Sequence, residues 1–318
     1  MHFDVFNGDA DGIMSLVQLR LAEPQESILI TGVKRDIALL EQVNPESASS
    51  VTVLDISMEK NSEALTTILH AQVPVRYFDH HRIGQEIHSP LLSSHINTSA
   101  DVCTGLLVND YLHAKHYLWA IASAFGDNLD AVAMRHCALH GIEQSLAEQL
   151  KSLGTLVNYN GYGRYIEDLH FHPADLFKQL LACETPVNLF NQGYSVYHQL
   201  QDAYQQDMAR AQSAQVLYNS SVCKVVSLDD QPWARRVSGV FSNQLANNAP
   251  DKAHAVLTKN VDDSYTVSVR APLNDKQGAD EVCVQFTTGG GRAGAAGINA
   301  LPQEQVERFI STLENYYN

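Results

Sequence analysis

Three adjacent polar residues, Asp79, His80 and His81, directly follow an apolar run in the segment YFDHHRIG. A carboxylate and two imidazoles can bind a divalent metal ion, and an imidazole can also move a proton. A polar turn after a strand would have the same composition. These residues alone therefore leave a metal site and a turn open, and companion residues elsewhere are needed to decide.

Carboxylates that can act as such companions stand in three other short segments. Asp9 and Asp11 lie in NGDADG, Asp55 lies in VLDIS and Asp127 lies in FGDN. Each segment alone is also typical of a helix N-cap or a loop. Together with the imidazoles, the carboxylate oxygens favour Mn²⁺, with Mg²⁺ as an alternative and Zn²⁺ less typical. Two such ions ~3.5–4 Å apart can activate a water and hold a phosphoryl oxygen.

The elements that must position these residues alternate along the first 80 residues. Short apolar runs at 3–6, 26–33, 50–57 and 73–79 predict strands, and the segments 12–23, 37–43 and 60–71 have helical spacing. This alternation predicts a parallel sheet with helices on its faces. Ligands of such sheets bind beyond the carboxyl ends of the strands, and that is where most of the polar segments fall.

The rest of the chain predicts further helices and a second domain. Residues 101–160 are mostly helical in pattern, 186–215 suit a helical connector, and 216–318 alternate between strands and helices. We expect a helix at 238–250 and a last helix that starts at Pro302. The predicted fold is thus α/β: a parallel-sheet domain (1–185), a helical connector (186–215) and a smaller α/β domain (216–318), with the active-site cleft between the domains.

The composition limits the function. The formal net charge of −15 over 318 residues argues against a protein that binds long duplex nucleic acid, because phosphate affinity needs clustered Lys and Arg. Five scattered cysteines favour reduced thiols. There is no basic segment followed by an apolar one at the N-terminus and no apolar run of ~18 residues. We therefore expect a cytoplasmic protein with no membrane partner.

The segments NGDADG, VLDIS, FDHH and FGDN, in this order and at these intervals, resemble the four motifs of the DHH phosphoesterases. That family includes RecJ-type exonucleases, oligoribonucleases that degrade very short RNAs, and cyclic-dinucleotide phosphodiesterases. The segments VSVRAP (267–272) and TGGGRAGAAGIN (288–299) are similar to the DHH-associated C-terminal domain. The resemblance covers nearly the whole chain.

The resemblance implies a role for each residue of the site. Asp9 would bind one ion and Asp11 the other, Asp55 would bridge the two, and His80 and Asp127 would complete the shell of the second ion. A second group would support them: His81 would lie behind the ligands or touch the substrate phosphate, and Asp79 would orient His80 or His81, because ligand imidazoles need an acceptor behind them.

Two positions depart from the family pattern. Many members of the oligoribonuclease and pyrophosphatase type carry a His four residues before the first motif Asp, where this chain has Val5. The first ion would therefore be held more weakly unless Asn7 contributes its side-chain oxygen. RecJ-type members have an Asp at the position of Asn7. The second departure is Arg292, at a place where the family usually has His; Arg is a permanently charged phosphate binder.

The glycine-rich segment of the second domain predicts a substrate contact. Gly289, Gly290 and Gly291 allow close approach of the backbone, and successive N–H groups in such a loop can form an anion-binding nest. Arg292 and Arg270 would add positive charge. A small-residue turn packed on the sheet, with Arg270 on a solvated face, is the alternative.

These observations lead to one function hypothesis and two alternatives. We expect a manganese-dependent phosphodiesterase, with two Mn²⁺ ions or Mg²⁺, that cleaves short oligonucleotides or linear or cyclic dinucleotides to mononucleotides. The alternatives are a phosphomonoesterase for 3′,5′-bisphosphorylated nucleosides and a nucleotide-binding regulatory module with an impaired metal site, which Val5 suggests. A homodimer is one expectation for the assembly.

Overall fold

A five-stranded sheet forms the centre of the first of two units, residues 1–202 and 203–318. The computed structural model describes residues 1–318. The strands of this sheet are β1 (His2–Phe6), β2 (Ile28–Ile30), β3 (Ser50–Leu54), β4 (Val75–Asp79) and β5 (Leu92–Ile96). They are all parallel, in the order β2-β1-β3-β4-β5. Every residue of β1 is buried, as expected for a strand that helices cover on both faces.

Nine helices accompany this sheet along the chain. Their bounds are α1 (Ala10–Ala22), α2 (Ser62–His70), α3 (Thr104–Tyr111), α4 (Tyr117–Gly126), α5 (Asp130–Leu139), α6 (Gln144–Gly161), α7 (Pro173–Leu181), α8 (Pro186–Asn191) and α9 (Val196–Gln212). Short 3₁₀ turns stand at Leu39–Gln42, Glu59–Asn61 and Ile166–Asp168. The division between the units falls inside α9, within the segment 186–215 that the sequence marks as a connector.

The second strand and the segment after it are shorter than predicted. The strand expected at 26–33 covers only Ile28–Ile30, and the helix expected at 37–43 is a single 3₁₀ turn, Leu39–Gln42. Asn61 gives the reason for the short turn. Its amide donates to the carbonyl of Ile37 and accepts from the Leu40 backbone N–H, so these groups are not used by a longer helix.

The edge strand β5 has no counterpart in the predicted elements. Its sequence, LSSHI, is polar at its centre, and none of its residues is fully buried. A strand at the edge of a sheet with little buried surface lacks the apolar pattern that identifies buried strands.

The second unit contains a mixed six-stranded sheet. Its strands are β6 (Gln215–Asn219), β7 (Cys223–Leu228), β8 (Ala253–Lys259), β9 (Tyr265–Arg270), β10 (Gly289–Arg292) and β11 (Ala295–Leu301). The order is β10-β11-β9-β8-β7-β6, and only β7 and β8 are parallel. The helices are α10 (Pro232–Asn248), α11 (Ala279–Cys283) and α12 (Val306–Tyr317), with a 3₁₀ turn at Gln303–Gln305.

Two helices of this unit start at places other than those predicted. Helix α10 starts at Pro232, six residues before the predicted start at 238; proline is favoured in the first turn of a helix. The last α-helix starts at Val306, because Pro302 precedes a 3₁₀ turn that comes first. No helix in the structure combines the length and the apolar character that crossing a bilayer requires.

Candidate metal centre

The carboxyl ends of neighbouring strands bring most of the predicted site residues together. Asp9 and Asp11 follow β1, Asp55 follows β3, and Asp79 is the last residue of β4. Because β1, β3 and β4 are adjacent and parallel, these residues lie at one edge of the sheet. The sheet order therefore accounts for a cluster whose members are far apart in the sequence.

The ring of His80 points its Nε2 atom at three carboxylates. This atom lies 3.4 Å from Oδ1 of Asp55, 3.8 Å from Oδ2 of Asp11 and 3.9 Å from Oδ2 of Asp127. On the other side of the ring, Nδ1 donates to the carbonyl oxygen of Val102 at 3.0 Å. Separations of about 3–4 Å between donor atoms are those of ligands that share one ion with bonds of about 2.0–2.2 Å.

Asp55 stands at the centre of the cluster in an unusual backbone conformation. It is 2% exposed, and its φ of 59° lies in the left-handed region, which costs a non-glycine residue on the order of 1–3 kcal/mol. The hydroxyl of Thr104 donates to its Oδ1. Burial, followed by the charge of Asp11, raises the pKa of Asp55 well above its usual value. A buried carboxylate of this kind is stabilised in its ionised form by a bound cation.

Asp11 is held by three hydrogen bonds at the start of α3. Its two oxygens accept from the backbone N–H groups of Thr104 at 2.7 Å and Gly105 at 2.8 Å, and Ser123 donates its hydroxyl at 2.5 Å. These bonds fix the carboxylate and disperse its charge. The carboxylate is thus held in place on the side of the cluster that faces His80.

Asp127 completes the cluster from the end of α4. Burial and the nearby Asp11 raise its pKa to about 6. The next residue, Asn128, has a left-handed backbone with φ of 61°, which ends the helix at this point. The position agrees with the sequence, which places Asp127 directly after an apolar helical run.

The second imidazole of the DHH segment has a different partner from the first. Oδ1 of Asp79 lies 2.7 Å from Nδ1 of His81, and this hydrogen bond is the main cause of a raised pKa of His81. Asp79 thus orients His81, and Val102 orients His80. Asp79 is fully buried, and its Oδ2 has no hydrogen-bond partner.

Lys34 is a member of the site that the sequence analysis missed. Its ammonium lies 2.5 Å from Oδ2 of Asp9 and 2.9 Å from Oδ1 of Asn158. Burial opposes ionisation of both partners, but the mutual attraction prevails: the pKa of Asp9 is lowered and that of Lys34 is raised. A single Lys in the segment after a short strand is indistinguishable from a solvated loop residue, so no pattern pointed to it.

Val5 and Asn7 occupy the positions where the chain departs from the family pattern. Val5 is wholly buried in the hydrophobic core of the first unit with Phe3 and Ile30. The amide of Asn7 donates to the carbonyl oxygen of Lys34, and its Oδ1 has no hydrogen-bond partner. Val5 therefore provides no ligand, and whether Asn7 provides one stays a prediction.

The donor set of the cluster fits a divalent ion. Ligand atoms of Asp55, His80 and His81 all lie within 4.8 Å of one another, and Asp11 and Asp127 add carboxylates beside them. Several buried carboxylates with one correctly oriented imidazole suit Mn²⁺ or Mg²⁺, which prefer oxygen-rich sites.

The predicted substrate-binding residues lie in the second unit. Gly289, Gly290, Gly291 and Arg292 are not a loop, as the nest hypothesis requires, but the edge strand β10, which forms a hairpin with β11. A Cβ atom on Gly289 would meet the Cys283 carbonyl oxygen at 1.8 Å, so a side chain does not fit there. An edge strand still leaves one row of backbone N–H groups outside the sheet.

The two arginines of this unit differ in their surroundings. Arg292 is exposed, whereas Arg270 is half-buried. The guanidinium of Arg270 donates to Oδ1 of Asn243, to the hydroxyl of Ser268 and to the carbonyl oxygen of Val269. Arg270 is thus fixed against α10, and Arg292 is the one with a solvated guanidinium.

No family model matches the sequence, and no curated protein matches it. Solved structures do match the fold. One is an exonuclease RecJ bound to manganese, with a TM-score of 0.60 and 15% identity, covering 99% of this chain and 90% of that one. A second is RecJ from Thermus thermophilus in complex with Mn²⁺, with a TM-score of 0.59 and 13% identity; the match covers 99% of this chain and 52% of that one.

A third similar structure is a pGpG-specific phosphodiesterase, PggH, from Vibrio cholerae. Its TM-score is 0.55 at 13% identity, and the match covers 99% of both chains. These likenesses confirm the α/β fold that the sequence predicts, and they confirm at the level of fold the resemblance to RecJ-type proteins.

Proposed function

We propose that the chain is a divalent-metal-dependent phosphodiesterase that cleaves short oligonucleotides or dinucleotides to mononucleotides. The observation that carries this proposal is the convergence of His80 Nε2 on three carboxylates at the carboxyl edge of a parallel sheet. The fold supports it, since the similar structures include a manganese-bound exonuclease and a dinucleotide phosphodiesterase.

The residues that would hold the ion are Asp11, Asp55, His80 and Asp127. When bound there, a divalent ion supplies a polarised water and a positive charge for a phosphoryl oxygen. Thr104 and Ser123 keep two of the carboxylates in place through hydrogen bonds. The two-ion arrangement that the sequence predicts would also need Asp9, whose carboxylate is already paired with Lys34.

His81 supplies the proton chemistry in this proposal. Its Nδ1 hydrogen bonds to Asp79, and this bond raises the pKa of the ring and so favours the form with hydrogens on both nitrogens. The side chain is about half exposed, at 45%. Nε2–H can therefore donate to a phosphoryl oxygen or pass its proton to the leaving oxygen of a nucleotide.

A short substrate suits the charge of the chain. With a net charge of −15, the chain has little long-range attraction for a polyanion, so binding depends on local groups. In this proposal Arg292 and the outer edge of β10 are the candidate substrate contacts of the second unit. A dinucleotide carries one phosphodiester, which is the group that the metal centre would cleave.

The experiment that tests this function is a product-resolved assay of the purified chain with Mn²⁺. The substrates are linear pGpG, the corresponding cyclic dinucleotide, a single-stranded oligonucleotide and a 3′,5′-bisphosphorylated nucleoside. We expect mononucleotides from the linear dinucleotide, and a rate lowered on the order of 100-fold or more in Asp55→Asn, which removes a ligand charge and keeps the shape.

Three results would overturn this function. Phosphate release from the bisphosphorylated nucleoside alone would make the chain a phosphomonoesterase. Nucleotide binding in calorimetry with no turnover at any Mn²⁺ concentration would make it a regulatory module. Equal rates in the wild type and Asp55→Asn would show that any hydrolysis comes from a contaminant or from another site.

A further inference from the structure

Both oxygens of Asp9 are already engaged within the protein. Oδ1 caps helix α1 by accepting from the backbone N–H groups of Asp11 at 3.0 Å and Gly12 at 3.1 Å. Oδ2 accepts from the ammonium of Lys34 at 2.5 Å. An ion bound to Asp9 would have to displace the ammonium or share the carboxylate with it.

Lys34 is held in this position by several groups. Its ammonium also donates to Oδ1 of Asn158 and lies 5.5 Å from the ring centroid of Tyr162. Its backbone N–H donates to the carbonyl oxygen of Gly161, and its own carbonyl accepts from the Asn7 amide. Two of these contacts fix the backbone and two fix the side chain, so the ammonium has a defined place beside Asp9.

The surroundings of Asp9 offer little to a metal ion. Val5 lies in the hydrophobic core and provides no donor. Lys34 brings a full positive charge next to the carboxylate, and a divalent ion within about 4 Å of an ammonium is repelled more strongly in a partly buried site than in water. By contrast, the nearest basic group to Asp55 is an imidazole that offers a lone pair, rather than a lysine or an arginine.

We propose that the ammonium of Lys34 takes the place of one of the two ions, so that the centre holds a single divalent ion on Asp11, Asp55, His80 and Asp127. This inference rests on the proposed metal-dependent function. Lys34 then supplies a fixed positive charge on the β1 side of the cluster, and the ion supplies the charge on the β4 side. The alternative is that the lysine side chain leaves when Mn²⁺ binds and that two ions enter.

Manganese counting separates these two states without an activity assay. The wild type, Lys34→Ala and Lys34→Arg are equilibrated with Mn²⁺ up to millimolar concentration, the bound ion is counted by equilibrium dialysis with elemental analysis, and the same samples are examined by low-temperature electron paramagnetic resonance. Two Mn²⁺ ions that share a carboxylate give a spin-coupled signal, whereas a single ion gives an isolated one. Lys151→Ala is the matched control, because that exposed lysine pairs with Asp130, which is not one of the proposed ligands.

We expect one Mn²⁺ per chain and an isolated signal in the wild type, Lys34→Arg and Lys151→Ala. Lys34→Ala is expected to bind a second Mn²⁺ at millimolar concentration, with a spin-coupled signal. Two ions or a coupled signal in the wild type would overturn the inference, as would a single ion in folded Lys34→Ala at that concentration. If the alanine variant does not fold, the wild-type count alone decides.

The same preparations distinguish failure of this inference from failure of the function. If the wild type hydrolyses dinucleotides and holds two ions per chain, the proposed phosphodiesterase function stands and the proposed role of Lys34 is wrong. If the wild type binds no Mn²⁺ and hydrolyses none of the substrates, both the function and the role of Lys34 are wrong. If the wild type binds one ion per chain but hydrolyses none of the substrates, the single-ion centre stands and the phosphodiesterase function is wrong.

Discussion

Nδ1 of His80 donates to the carbonyl oxygen of Val102 at 3.0 Å. A carbonyl can only accept, so Nδ1 carries the hydrogen, and the neutral ring has its lone pair on Nε2. That lone pair faces Asp55 at 3.4 Å. The backbone carbonyl of Val102, rather than a second carboxylate, thus orients His80 as a ligand. The carboxylate of Asp79 instead orients His81.

The pairing of Asp79 with His81 predicts a shift in the pH dependence of hydrolysis. Asp79→Asn keeps the shape but removes the charge that raises the pKa of His81, so His81 loses its proton at lower pH. If protonated His81 is required, kcat/KM falls with rising pH, and this fall moves to lower pH in the variant. We expect a loss of about 10–100-fold at about pH 8 and a smaller one at about pH 6.

The control for this prediction is His81→Gln, which should lack the falling limb altogether. The measurement is kcat/KM for a dinucleotide between about pH 5 and pH 9 at saturating Mn²⁺. An Asp79→Asn profile that matches the wild type would contradict the assigned role of the pair.

The raised pKa of Asp127 predicts a pH-dependent stability of the metal-free protein. The folded-state value is about 6 against an ordinary 3.8, so the folded chain binds this proton more tightly than the unfolded chain does. Stability from this group is present below about pH 4 and is lost as the pH rises through about 6. We expect the Tm of Asp127→Asn, relative to the wild type, to rise over this range and then to level off.

This comparison is made by thermal unfolding in EDTA, and the difference between the two proteins cancels titrating groups that are distant from Asp127, such as the buried His254. Saturating Mn²⁺ should stabilise the wild type more than the variant at about pH 8, because a ligand that binds only the folded state raises its stability. A Tm difference that is constant from about pH 4 to pH 8 would show that folding does not raise the pKa of Asp127.

Packing of α4 against α6 predicts a large effect at one glycine. A Cβ on Gly154 would lie 2.2 Å from the carbonyl oxygen of Ala122 and 2.7 Å from the backbone nitrogen of Gly126. Gly154→Ala therefore has to separate two helices next to Asp127, and we expect a loss of about 1–3 kcal/mol in the free energy of unfolding. Chemical denaturation gives this value, and Mn²⁺ affinity should fall with it.

The matched control is Gly239→Ala in α10. Nothing lies within 4 Å of its Cβ position, so alanine gains helix propensity without a clash. We expect it to stabilise the protein by about 0.5–1 kcal/mol. A Gly154→Ala variant as stable as Gly239→Ala would mean that the two helices are not in such close contact.

Arg292 is predicted to act on substrate binding rather than on the chemical step. It is exposed on β10 and its guanidinium is solvated. Arg292→Ala should raise KM for a dinucleotide on the order of tenfold, the loss of one charge-assisted hydrogen bond, and leave kcat within about twofold. Arg308→Ala, another exposed arginine of the second unit, is the control and should change neither constant.

Much of the fold and of the acidic cluster could be predicted because both depend on local patterns. Buried parallel strands are apolar along their length, and their ends carry the functional side chains, so the alternation of elements leads to Asp55 and Asp79. Edge strand β5 has no such pattern, and the short β2 has too few residues to fix its end.

The partners of individual side chains could not be predicted in the same way. Lys34 meets Asp9 only because β2 lies beside β1 in the sheet, an order that the alternation does not specify. Likewise, Asp79 is close in sequence to both imidazoles, and the direction of each ring decides that it contacts His81. Val102 is 22 residues from His80, and nothing in its own side chain marks it as a partner.

The binding of a divalent ion between His80 and Asp55 is tested by an anomalous-scattering map at the manganese edge from crystals grown with Mn²⁺. The proposed metal centre predicts one peak within about 2.0–2.3 Å of His80 Nε2 and of an Asp55 oxygen, with Asp11 and Asp127 as its other protein ligands, and Lys34 still on Asp9. Manganese peaks elsewhere on the chain, with none between His80 and Asp55, would contradict it.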